Sequence, residues 1–208
     1  MAAERKLGRR QAVTDLKRSL ILEAARTIFE AEGLDGASMR AIAAQAGYAP
    51  AALYFHFDSK EALYAEVLQA SLADLRAEVT RSIARTRGPS DRLQAAAMAF
   101  FNFYARNPRD LDLGFYLLRG GMKPHGLGRK RDEQLNAGLA AALQPIADAS
   151  EALGVTRDDA NLVMVDAFAH AAGLLLLAHT GRIRMFGASA SELMARYIKD
   201  RIGRLTRG

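Results

Sequence analysis

The chain has 208 residues, half of them hydrophobic, with 29 lysines and arginines against 23 aspartates and glutamates and a formal charge of +6. That is enough apolar material for a sizeable core, and the basic excess suits a polyanionic partner. The absence of cysteine excludes a thiol sensor and a disulfide framework, and no apolar h-region follows the basic residues 5–10, so no secretory leader is expected and a bacterial, cytoplasmic protein is.

Residues 1–13 read as a disordered basic arm. Across the first 18 residues Arg5, Lys6, Arg9, Arg10, Lys17 and Arg18 face only Glu4 and Asp15, and such an arm can reach a DNA backbone or minor groove. A helix is predicted over 14–32, where Leu16, Leu20, Ala24, Ile28 and Ala31 recur every three or four residues and Ile21 and Phe29 widen the stripe. Gly33 ends it. Ser38 is the predicted N-cap of the next helix, whose Met39, Ile42, Ala43 and Ala46 share one apolar face. Gly47 stands where a left-handed residue would close it. Pro50 suits the first position of a further helix. On that helix Leu53 and Phe57 point one way, Ala51 and Phe55 the other, with Ala52 and Tyr54 on the flanks. The pair reads as a helix-turn-helix whose second helix can enter a major groove. Helical pattern resumes at Asp58, with Glu61 at capping-box spacing.

These residues carry a resemblance. RSLILEAARTIFEAEG, then SMRAIAAQAGYAPAALYFHFDSKEALYAEVL, resembles the DNA-binding domain of the tetracycline-repressor (TetR) family over residues 14–68. The resemblance implies an all-helical homodimer. Its amino-terminal domains would bind a palindromic operator, and a larger carboxy-terminal domain would bind a small molecule that releases DNA. It implies phosphate contacts for Tyr54 and His56 of the LYFHF run, for Lys60 and for Ser38, and places Arg40 where some members reach a base edge. Ala51, Ala52 and Phe55 lie on the face that would meet bases. They offer no base-edge hydrogen bonds but can touch thymine methyls, which leaves Arg40 as the candidate for guanine. One position departs from the family: Ala49 stands where a capping Ser or Thr is usual, at a cost of about 1 kcal/mol of local stability.

From Lys60 onward strict alternation is absent and the chain reads as all-α. The division expected is a helix-turn-helix domain over 14–60 and a helical ligand-binding and dimerisation domain over 61–208. Helices are predicted over 59–85, 91–106, 111–118, 129–153, 157–180 and 191–205, with a loop over 120–128. The second of these is apolar nearly all round, through Leu93, Ala96, Ala97, Phe100, Phe101 and Tyr104, and belongs inside a core or beside a pocket. Thr156 with Asp159, and Ser189 with Glu192, have capping-box spacing. Ala167, Ala171, Gly173 and Ala178 with the apolar run 174–177 give a helix that must bury a second face. The resemblance implies that the last two helices pair with their mates as a four-helix bundle. The apolar run reads as too short, and too interrupted by Asp166 and His170, to span a bilayer.

The helices that line the ligand cavity in the family would here contribute Phe100, Phe103, Tyr104, Phe115, Tyr116, Met122, Met164 and Phe168, residue types that serve a core as readily as a pocket. Asp166 and His170, four apart, are able to pair. Lys123, His125, Arg129 and Lys130 sit in a loop that is either solvated or meets an anionic ligand tail. No metal, cofactor or catalytic site is expected: Gly126-Leu127-Gly128 follows no strand, and no nucleophile motif is present. The expectation is a ligand-responsive DNA-binding regulator, a repressor rather than an enzyme. The alternatives are a helical enzyme or lipid-binding protein that keeps the domain as a scaffold, and a regulator governed by a protein partner without ligand.

Overall fold

Local signals at the amino terminus set most of the helix ends. A computed structural model describes residues 2–114 and 126–207, and every regular element among them is helical. Helix α1 (Ala2–Gly36) is interrupted at Gly33, whose φ of 69° breaks the helical path. The expected arm over 1–13 is therefore helical from Ala2. The residues there are good helix formers apart from Gly8, and extending an existing helix needs no new nucleus. The buried side of α1 also differs from the expected stripe. Ile21, Ala24, Ala25 and Phe29 are buried, while Leu16 and Leu20 are exposed. The ring of Phe29 meets the edge of Tyr64 at 4.8 Å, and that contact fixes which side faces inward.

Helix α2 (Met39–Ala46) and helix α3 (Pro50–Tyr54) follow, then helix α4 (Lys60–Ile83). Ser59, not Asp58, caps α4: its hydroxyl accepts the N–H of Ala62 at 3.1 Å. Compactness divides the described chain into one unit of residues 1–70 with 112–133 and another of 71–111 with 134–208. The boundary expected after Lys60 thus falls after Ala70. The reason is packing: Leu63, Tyr64, Ala65, Val67 and Leu68 are buried, and the Tyr64 hydroxyl donates to the carbonyl of Leu113 at 2.9 Å.

The second unit is built on helix α5 (Pro89–Arg106), helix α7 (Arg129–Glu151), helix α8 (Arg157–His179) and helix α9 (Ala190–Leu205), with helix α6 (Pro108–Gly114) between α5 and α7 and a 3₁₀ turn, Arg182–Phe186, between α8 and α9. As expected, the broad apolar surface of α5 is buried, from Leu93 to Tyr104. It packs against α8 and α9. The cap at Thr156 forms, its Oγ1 accepting the N–H of Asp159 at 3.2 Å. That at Ser189 accepts the N–H of Glu192 at 3.3 Å.

Helix α8 has two apolar sides. Val163, Ala167, Ala171 and Leu175 are buried, whereas Leu162, Val165 and Leu176 are more than half exposed. The expectation that this segment is too short for a bilayer is corrected: at 23 residues α8 is long and apolar enough to cross one by length and composition. Packing on α5 and α9 buries one of these sides.

Candidate nucleic-acid interface

The helix-turn-helix is assembled from short-range bonds. Ser38 is extended, at φ −130° and ψ 147°, and its hydroxyl accepts the N–H of Ala41 at 3.1 Å. Met39, Ile42 and Ala43 turn inward. Gly47 closes α2 in the left-handed region at φ 73°, and the Tyr48 N–H returns to the Ala43 carbonyl at 2.9 Å, a closure that favours glycine. Pro50 then opens α3, and Ala49 supplies no side-chain cap.

Helix α3 is shorter than the spacing of Leu53 and Phe57 suggests. It ends at Tyr54, because the Leu53 carbonyl accepts the N–H groups of both His56 and Phe57 at 2.9 Å. Leu53 and Phe57 are nonetheless fully buried. The opposite side is open: Ala51 is exposed, Tyr54 is 57% exposed and Phe55 86%. Ala52 and His56 are half-buried beside them, and Ser38 and Arg40 are exposed on α2's side. The ring of His56 stands edge-on to Phe55 at 5.5 Å.

Lys60 has a different immediate partner from the expected phosphate. Its Nζ donates to the carbonyl of Ala37 at 3.0 Å, which ties the start of α4 to the foot of α2.

Two residues escape the sequence reading, Thr14 and Tyr48, and Lys17, counted there only among the basic residues of the terminus, joins them. Thr14 and Lys17 of α1 and Tyr48 of the turn line a cavity of about 220 Å³ with Ile21, Ala52, Phe55 and His56. Thr14, Lys17 and Ile21 are spaced three and four apart, so α1 presents them together. Thr14 and Lys17 thus flank the buried Ile21 at the edge of the apolar stripe. A hydroxyl, a cation and a phenol thus border the exposed Phe55. Side chains of these kinds are the ones that hold phosphates in protein–DNA interfaces.

The proposed pocket residues lie elsewhere. Phe100, Phe103 and Tyr104 are buried in the second unit's core, with Met164 and Phe168 packed against them. Phe100 makes edge contacts with Tyr104 at 5.2 Å and with Phe168 at 5.8 Å. Burial, reinforced by the nearby Asp110 carboxylate, pushes the Tyr104 phenol well above its usual range. Phe115, Tyr116, Met122, Lys123 and His125 lie outside the described residues. Asp166 and His170 do not pair. Each is drawn instead to α9: Asp166 to the Arg201 guanidinium at 3.2 Å, and His170 flat against the Tyr197 ring at 4.0 Å. A full opposite charge outcompetes a neutral imidazole for the carboxylate. Burial lowers the His170 pKa, and its Nε2 has no hydrogen-bond partner.

Comparison with known proteins agrees with this geometry. The family model described as "Bacterial regulatory proteins, tetR family" matches residues 21–67, which span the buried face of α1, the helix-turn-helix and the start of α4. The transcriptional repressor NicS of Pseudomonas putida is 29% identical over 159 residues, 74% of this chain and 73% of the repressor. The transcriptional activator FasR of Mycolicibacterium smegmatis is 37% identical over 101 residues, 49% of this chain and 46% of the activator. The chain therefore spans under half the length of that second relative. A TetR-like transcriptional regulator from Rhodococcus sp. RHA1 shares the fold, with a TM-score of 0.67 at 18% identity over 90% of this chain and 96% of that one. A glycine-closed helix-turn-helix, an exposed outer face on α3 and sequence relatives that are themselves regulators lead to one conclusion: residues 21–67 form a DNA-binding domain similar to that of the tetR family of bacterial regulatory proteins.

Proposed function

We propose that this regulator is a repressor that binds a palindromic operator as a homodimer and leaves it when a small molecule occupies the second unit. The observation that carries the DNA half of the reading is the sidedness of α3: Leu53 and Phe57 are buried while Ala51, Tyr54 and Phe55 face out. A surface so apolar at its centre and bordered by Ser38, Arg40, Lys17 and His56 suits thymine methyls between two phosphate strands. Phosphate contacts fall to Ser38, Tyr54 and His56, with Lys60 recruited from its carbonyl.

Dimerisation is proposed through α8 and α9, supported by the exposed stripe of Leu162, Val165 and Leu176. Two copies present two recognition helices, and a two-fold site follows from two-fold symmetry. The effector is proposed to be largely apolar, supported by the aromatic cluster of Phe100, Phe103, Tyr104 and Phe168. Helix α4 has residues in both units, which suits it to convey the effector's presence to the spacing of the recognition helices. Linkage then requires DNA to weaken effector binding by the same factor.

Selection of bound duplexes from a random library with purified protein tests the reading. An enriched inverted repeat, protected in a footprint, is the expected result, and recovery of unbiased sequence rejects it. Deletion of the gene separates repression from activation: transcription from the neighbouring operator rises for a repressor and falls for an activator.

A further inference from the structure

Arg18 of α1 reaches three groups at once. Its guanidinium lies over the Phe57 ring, 4.7 Å from the centroid. Its Nη1 donates to the carbonyl of His56 at 3.5 Å, and its Nη2 is ion-paired and hydrogen-bonded to the Glu66 carboxylate of α4. The side chains of Arg18 and Glu66 are 39% and 29% exposed, so the fork is partly covered. His56 and Phe57 form the exit of α3. At five residues, α3 is too short to hold its own exit in place without tertiary contacts.

We infer that Arg18 is a positioning residue for DNA recognition, and that Glu66 fixes it, so that an acid on α4 supports sequence-specific binding. The inference rests on the DNA-binding reading above. It has an unusual sign. Electrostatics alone says that removing an acid from a DNA-binding unit strengthens binding to a polyanion. If Glu66 orients Arg18, and Arg18 orients His56 and the Phe57 ring, neutralising Glu66 weakens specific binding instead. The competing role for Arg18 is a direct phosphate contact. That role also has a signature, since each lost phosphate contact flattens the salt dependence of binding by about one unit of slope.

The test uses full-length Glu66→Gln, Arg18→Met, the double variant and Arg18→Lys, on the duplex selected by wild-type protein and on an unrelated duplex, across a salt series. Thermal melts at the same salt confirm that each variant is folded. We expect Glu66→Gln to bind the selected duplex about five-fold more weakly, to bind the unrelated duplex at least as well as wild type, and to keep the salt slope. The double variant is expected to be no worse than Arg18→Met alone, since the two residues act as one unit. Arg18→Lys keeps the charge but loses the planar fork and the flat stack, so it too is expected to lose specific affinity at unchanged slope. It carries the test should Glu66→Gln melt below the assay temperature. Tighter or unchanged binding by Glu66→Gln, additive losses in the double variant, wild-type behaviour of Arg18→Lys, or a slope flattened by one unit in Arg18→Met overturns the inference. Wild-type protein that enriches no sequence overturns the regulator reading itself. Enrichment by wild type with an indifferent Glu66→Gln overturns this inference alone.

Discussion

Phe55 is a large apolar side chain with 86% of its surface in solvent, on a five-residue helix whose other side is fully buried. Because it contributes almost nothing to the core, Phe55→Ala is expected to leave the melting temperature unchanged within error while weakening binding to the selected duplex about ten-fold, the size of one good base contact. Titration of labelled duplex against the two proteins checks this, and equal affinities reject a readout role. His170 makes a prediction of another kind. Burial holds its imidazole below the ordinary value near 6.5, so the unfolded chain takes up the proton first as the pH falls. The stability contributed by neutral His170 is complete above about pH 6.5 and is lost as the pH falls through the folded value. Its surroundings on α9 are the Tyr197 ring and Arg201, and on α8 Asp166. Melts between about pH 7 and 5 are expected to show a falling midpoint, flattened in His170→Phe, which keeps the stack and cannot be protonated. Parallel pH profiles for the two proteins remove His170 as the source.

Helix ends at the recognition element were legible because their causes are local. Ser38, Gly47 and Pro50 each act within four residues, and the structure uses all three as the spacing predicts. The uncapped Ala49 was legible for the same reason. Ala49→Ser is expected to add about 1 kcal/mol of stability, a rise of roughly 2–4 °C in melting temperature for a chain of this size. Calorimetry checks it, and an unchanged melt means that packing already fixes the entry to α3. What failed were choices that depend on distant partners. Leu16–Leu20–Ala24 and Ile21–Ala25–Phe29 are both apolar rows on α1, and the contact of Phe29 with Tyr64 selects the second. Nothing in the sequence near Lys60 announces its bond to the Ala37 carbonyl. Arg18 reads as one more basic residue until Glu66, His56 and Phe57 converge on it.

At the scale of the molecule, the core of the second unit was legible in α5, whose apolar character on several sides left no other place for it. A ligand cavity was not, since aromatic and methionine side chains serve packing and pocket alike. The expected pairing of Asp166 with His170 fails because α9, some thirty residues further along, supplies better partners for both. The open side of α8 is followed along the chain by Met185 and Phe186, both more than three-quarters exposed. If a second copy covers it, Leu176→Arg is expected to shift the protein from dimer to monomer in sedimentation equilibrium while leaving its helical content intact, because Leu176 is already half in solvent. A dimer that survives Leu176→Arg places the interface elsewhere.

The outward-facing Ala51, Tyr54 and Phe55 also bear on how such a protein diversifies. Substitutions there scarcely alter folding free energy, so lineages can drift at these three codons without passing through misfolded intermediates. If these side chains read bases as proposed, target preference can change step by step on an unaltered scaffold, and descendants with near-identical interiors would govern unrelated genes.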